Sequence, residues 1–155
     1  MDAPVLTAVI SVSGTLLGAI VGGCLTMYSN FFLNKRRERA EFRMGCRLIV
    51  GELEENASRM ASILTRGPWW QSDLELSTEA WEEHRHILAS HLSHDAWRNV
   101  ASAVRAAHSG RLIMARARRK MQSTDEETEV FRGLRKDIVK GADSLYPYLS
   151  KSDDY

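Results

Sequence analysis

Residues 42–63 read FRMGCRLIVGELEENASRMASI, and within them Phe42, Cys46, Ile49, Leu53, Asn56, Met60 and Ile63 recur at alternating steps of four and three. That period is the a/d seam of a helix packed on other helices, because residues three and four apart share one face of an α-helix. Asn56 is the one polar residue on the seam. Its amide is costly to bury without hydrogen-bond partners, so it is expected to fix register or partner choice rather than to carry chemistry.

Upstream the chain changes character. From Ala3 to Asn34 there is no Asp, Glu, Lys or Arg. Its apolar stretch, Val5 to Met27, is long enough for the roughly 20 helical residues that a hydrocarbon core of ~30 Å requires, and reads as one transmembrane helix. A cleaved secretory signal would need a basic segment in front, where this chain has Met1, Asp2, Ala3 and Pro4. The bases come afterwards, as Lys35, Arg36, Arg37 and Arg39, which places the N-terminus outside and the rest of the chain in the cytoplasm. Val21-Gly22-Gly23-Cys24 resembles the lipobox of bacterial lipoproteins, but the missing basic segment and the apolar continuation Leu25 to Leu33 oppose lipidation of Cys24. Gly14, Gly18 and Gly22 repeat every four residues, with Ser11, Thr15 and Ala19 in a second small-residue row beside them. Such a face lets two helices approach closely in lipid, so these six residues are the expected homo-oligomer interface.

Downstream, Gly67-Pro68 is expected to end the first helix, with Trp69 and Trp70 lidding a hydrophobic core or anchoring a partner. Leu76-Ser77-Thr78-Glu79-Ala80-Trp81 then recurs as Leu92-Ser93-His94-Asp95-Ala96-Trp97. Each copy reads as a helix start, with Ser77 and Ser93 accepting from first-turn N–H groups and each Leu–Trp pair at hydrophobic-staple spacing. Helices are therefore expected to begin near Thr78 and His94. On the second, Trp97, Val100, Ala101, Val104, Ala107, His108 and Leu112 are expected to form the apolar face. A further helix is expected after a capping box at Thr124 and Glu127, striped by Val130, Phe131, Leu134, Ile138, Ala142 and Leu145 until Tyr146-Pro147 stops it.

The expected fold is thus all-α: an anchor over 1–34, an antiparallel four-helix cytoplasmic bundle over 35–149 whose first helix continues the anchor, and a frayed tail over 150–155. The 155 residues carry 21 bases and 20 acids, so a globally cationic coat for nucleic acid is excluded. A hydrophobic content of 44% with 26% charged residues excludes wholesale disorder.

Chemistry has few candidates. Glu83 and His86 form a Glu-x-x-His pair like half of a di-iron carboxylate site, but no second copy follows, and His84, His91 and His94 complete no familiar zinc spacing. There is no Gly-rich phosphate loop and no Gly-x-Ser-x-Gly elbow, so no catalytic residue and no cofactor is expected. Arg111, Arg116, Arg118, Arg119 and Lys120 form a basic patch that could meet an anionic partner, although the acidic run Asp125 to Glu129 offsets its field and no aromatics interleave to stack bases.

The order of Gly-x-x-x-Gly-x-x-x-Gly, Lys35-Arg36-Arg37-Glu38-Arg39, Gly51-Glu52-Leu53-Glu54-Glu55-Asn56 and Ser77-Thr78-Glu79-Ala80-Trp81 resembles small single-span helical membrane proteins of high-GC bacteria and their phages. The resemblance implies a bacterial inner-membrane setting and transfers no catalytic residue. The resulting expectation is a membrane-anchored adaptor, scaffold or sensor, self-associating through its span and binding a cytoplasmic protein. The alternative is a membrane-perturbing, pore-forming or holin-like effector with a role in phage defence, since some proteins of this general build sit beside phage-defence or signalling genes.

Overall fold

A computed structural model describes residues 3–65 and 75–150, with side chains described from Val21 onward. Within these the chain is helical without strands: α1 (Ala3–Thr65), α2 (Glu79–His91), α3 (His94–Lys120), α4 (Asp125–Asp143) and a single-turn α5 (Tyr146–Leu149). The chain divides into two units, 1–40 and 41–155. Among the described residues no helix is long and apolar enough to cross a membrane. The expected span, Val5 to Met27, falls mainly on residues 3–20, whose side chains lie outside the described set, as do Gly67, Pro68, Trp69 and Trp70.

In the larger unit, residues 41–65 of α1 supply the first helix of a four-helix bundle. Seam residues Cys46, Ile49, Leu53, Asn56, Met60 and Ile63 are all buried, and Phe42 is half-buried at the end of the stripe. The contacts fix an up-down-up-down order. Gly45 lies against His84 and Leu88 of α2, whereas Asn56, eleven positions on, reaches back to Ser77 ahead of α2, so α1 and α2 run antiparallel. A Cβ on Gly141 of α4 would meet both Ala103 of α3 and Leu53 of α1, and one on Gly110 of α3 would meet Phe131 of α4 and Met60 of α1. Hence α3 runs with α1, and α4 runs against both. At the opposite end from Met60, Phe42 stacks on His91 with centroids 4.9 Å apart and meets the edge of Tyr148 of α5 at 5.9 Å. The Tyr148 hydroxyl accepts from the Ser93 N–H at 3.0 Å, tying α5 to the start of α3.

The apolar face of α3 meets the sequence expectation in part: Val100 and Ala107 are buried and Trp97, Ala101 and Val104 pack half-buried against the core, but His108 and Leu112 do not belong to it. Ala96, Val100, Ala103, Ala107, Gly110, Met114 and Ala117 are buried, at steps of four and three, while Leu112 is 57% exposed and His108 is exposed. Small residues on the seam let α3 and α4 approach closely, as at Gly141, where a Cβ would come within 2.3 Å of the Ala103 Cβ. Leu112 was the misleading guide to that face. On α4, Phe131, Ile138 and Ala142 are buried as expected from their stripe, as is Leu145 just beyond it at the cap of α5, but Val130 points to solvent. Tyr146-Pro147 does not end the helical chain. Instead α4 closes at Asp143, and Pro147 falls inside the first turn of α5, where its missing N–H costs no helical bond.

The turn between α3 and α4 shows why both helices stop where they do. Met121 adopts a left-handed conformation with φ of 54°, and the Met121 and Gln122 N–H groups donate to Arg118 and Ala117 carbonyls, the paired bonds of a Schellman ending. A side chain at that φ costs about 1 kcal/mol that glycine avoids, so Met121→Gly is expected to raise stability by about that amount in urea unfolding. Met121 is exposed and leaves no cavity behind. Next, Thr124 accepts from the Glu127 N–H at 3.1 Å while the Glu127 carboxylate accepts from the Thr124 N–H at 3.1 Å, a reciprocal capping box. The Thr124 backbone bond, helped by Lys120, holds the Glu127 carboxyl below the usual range.

Candidate functional site

The two Ser-containing repeats do not fold alike. Ser93 is an N-cap whose hydroxyl accepts from the Ala96 N–H at 3.3 Å. The N-cap of α2 is Thr78, which makes no side-chain cap bond. The acceptor arrives from α1: the Glu52 carboxylate accepts from the Ala80 N–H at 3.2 Å and from the Ser77 hydroxyl at 2.5 Å, and that hydroxyl itself accepts from the Glu79 N–H at 3.3 Å. An acidic group beside a helix N-terminus satisfies orphan donors and complements the helix dipole.

Asn56 completes this clamp. Its Nδ2 donates to the Ser77 carbonyl at 2.7 Å and its Oδ1 accepts from the Ser77 N–H at 2.9 Å, so one side chain reads both backbone groups of one residue. Arg59 donates to the Glu75 carbonyl and pairs with Glu55 at 2.5 Å. Glu52, Asn56 and Arg59 thus form a polar row on α1 that holds residues 75–80 against it. Sequence reading singled out Asn56 but missed Glu52 and Arg59. Their signal was present: they lie four before and three after Asn56, on the row that flanks the buried seam. Trp81 is buried and Trp97 half-buried, with ring centroids 4.8 Å apart, packing the starts of α2 and α3 together.

The metal-like pair is not assembled. Glu83 and His86 are both exposed, and among the described residues no group of three or more His, Cys, Asp or Glu side chains could hold a metal ion. His84 is the buried histidine, at 8% exposure, and its Nε2 has no hydrogen-bond partner; the Glu83 carboxylate lies 3.9 Å away. Much of the basic patch is engaged locally. Arg111 donates to the Thr78 hydroxyl at 3.3 Å and lies beside His108, while Lys120 faces Glu127 at 3.6 Å across the α3–α4 turn. Arg116, Arg118 and Arg119 are exposed at the end of α3, where cations complement the helix dipole.

Burial pushes the Cys46 thiol up to about 11, whereas Cys24 is exposed. With Cys24→Ser in place, the remaining thiol of the native chain is expected to react at pH 8 on the order of a hundredfold more slowly than in denaturant, because both thiolate fraction and access fall. A disulfide-exchange reagent monitored by absorbance reads this directly. It also makes Cys46 silent as a reporter of membrane sidedness, since a buried thiol escapes labelling on either side.

In the smaller unit, the described side chains from Val21 to Ala40 are all exposed. Val21, Leu25, Met27, Tyr28, Phe31, Phe32 and Leu33 give this helix a bulky apolar surface that nothing in the chain covers among the described residues. A Cβ on Gly22 would meet nothing within 4 Å. Gly14, Gly18, Ser11, Thr15 and Ala19 lie on the same helix, but what surrounds them falls outside the described set. Where the apolar band ends, Lys35 Nζ sits 5.9 Å from the Phe31 ring centroid and the Arg36 guanidinium 4.6 Å from that of Phe32. Such geometry is a cation–π contact, strongest where water is excluded.

Compared with known proteins, the chain matches no family model, no curated protein and no solved structure.

Proposed function

We propose that this chain is a membrane-anchored helical interaction module, an adaptor, scaffold or sensor, with its N-terminus outside a bacterial inner membrane and its bundle in the cytoplasm. The observation that carries this reading is the uncovered apolar helix of Val21–Leu33, which extends the charge-free run from Ala3 and gives way abruptly to Lys35, Arg36, Arg37 and Arg39. An uncovered apolar surface of this kind calls for lipid or a partner, and the bases behind it set its direction of insertion. In this reading Gly14, Gly18 and Gly22, with Ser11, Thr15 and Ala19, bring spans of several copies together, and the cytoplasmic bundle engages a protein partner.

The test uses the full chain in bacterial cells. It is expected to stay in the membrane pellet after alkaline carbonate extraction, and release into the supernatant would remove the anchor. Sidedness is read with an impermeant maleimide on a chain carrying Cys24→Ser and Ala89→Cys, since position 89 is exposed on α2. The introduced thiol is expected to label only after lysis; labelling of intact cells would reverse the topology. Gly18→Ile is expected to reduce the native mass in nanodiscs to that of a monomer. Dye leakage on expression would move the assembly from scaffold to pore.

A further inference from the structure

We infer that the segment Phe31–Arg39 is a binding surface for the headgroups of anionic phospholipids, an inference that rests on the membrane-anchor reading above. Lys35, Arg36 and Arg37 are consecutive and exposed, so at about 100° per residue they point in three directions around the helix, and Arg39 returns close to Lys35. Glu38 is the one acid among them, leaving four cations against one carboxylate in 35–39. A collar that encircles a helix suits an axis crossing a charged surface; a helix lying in the interface would carry its bases along one stripe.

The aromatic contacts set the depth. Phe31 and Phe32 each lie four residues before the cation that covers them, so Lys35 and Arg36 reach back over the last rings of the apolar band. Rings and cations are then held at one level, where the acyl boundary meets the phosphates. Cations folded this way present their outer N–H groups to acceptors beyond the ring, and the acceptors available at that level are lipid phosphates. Charge complementarity therefore selects a leaflet rich in phosphatidylglycerol-type lipids over a zwitterionic one. Attraction to an anionic surface amounts to about a fivefold gain per nearby cation before screening, and lipid exchange around the helix dilutes that gain.

The test is spin-labelled lipid association around the full-length chain reconstituted in phosphatidylcholine bilayers. Spin-labelled phosphatidylglycerol is expected to associate at least threefold more strongly than spin-labelled phosphatidylcholine at low salt, with the preference collapsing toward unity in 0.5 M NaCl, on the scale set by the shortened Debye length. The variant K35Q/R36Q/R37Q/R39Q is expected to lose the preference. Glu38→Gln, which removes the opposing charge, is expected to increase it, so the inference does not depend on the quadruple variant alone. Equal association of both lipids with the native chain, or a preference that survives in the quadruple variant, overturns the collar. A chain that fails to float with phosphatidylcholine vesicles at all overturns the anchor itself, and the two failures are thereby distinguished.

Discussion

Gly141→Ala is expected to destabilise the bundle by about 2–3 kcal/mol, while the same substitution at Gly133, eight positions earlier on the same helix, is expected to stabilise it by about 0.5–1 kcal/mol. Both glycines lie within α4 and pay the same intrinsic penalty relative to alanine in a helix. Only the surroundings differ. A Cβ at position 141 would lie 2.3 Å from the Ala103 Cβ and 3.2 Å from the Asn99 carbonyl oxygen. Neither neighbour is the tip of a flexible side chain: one is a Cβ fixed to its backbone and the other is backbone itself. The helices must therefore separate, and separation loosens Leu53, Ile138 and the α3 alanines along the seam. At Gly133 nothing lies within 4 Å, so alanine brings its propensity gain without a collision. Urea midpoints of the two variants, measured side by side, are expected to move in opposite directions. If both rise, the α3–α4 approach is not as close as the structure has it.

The same contact explains which parts of the fold could be read from the residues. The α1 seam was legible because its contacts are made by Ile49, Leu53, Met60 and Ile63, whose size announces burial at helical spacing. On α3 the buried row runs Ala96, Val100, Ala103, Ala107, Gly110, Met114 and Ala117, mostly small residues whose weak hydrophobicity hides the same four-three period, while Leu112 on the outer surface drew the apparent face toward itself. Small residues there reflect a demand for closeness that depends on the partner helix, and a single helix does not display it. The helix starts were legible at Ser93 and Thr124, whose cap partners are three residues away. At α2 the start near Thr78 and the Ser77 hydroxyl accepting from the Glu79 N–H were legible too, but the Glu52 carboxylate that joins them was not, because it arrives from another helix 25 positions before Ser77. The exposure of Glu83 and His86, against the burial of His84 between them, likewise follows from which face of α2 meets Gly45 of α1.

Asn56→Ala is expected to cost about 2–4 kcal/mol, the second large effect, because the side chain removed is only 1% exposed and serves two backbone groups at once. Its loss strands the Ser77 N–H and carbonyl at the half-buried edge of the α1–α2 contact. Among the described residues the other bonds of Ser77 are made through its hydroxyl, so Glu52 does not make good the deficit. Asn56→Asp separates this account from one based on lost packing. The carboxylate keeps an acceptor for the Ser77 N–H but turns a second oxygen toward the Ser77 carbonyl, 2.7 Å from where Nδ2 donates. Ionisation is then opposed by burial and by that carbonyl, while the protonated acid can donate to it as the amide does, so the folded-state pKa of the introduced acid is raised. Protonation therefore favours the folded state. The Asp variant is expected to approach the native stability below the unfolded-state pKa of about 3.9 and to lose ground progressively as pH rises through the folded pKa. The native chain lacks this added dependence, so the difference between the two urea midpoints followed across pH isolates the site. A difference that stays flat with pH would mean that Asn56 is held by shape alone. A difference that grows with pH would identify the hydrogen bonds to Ser77 as what locks residues 75–80, and with them the start of α2, in register on α1.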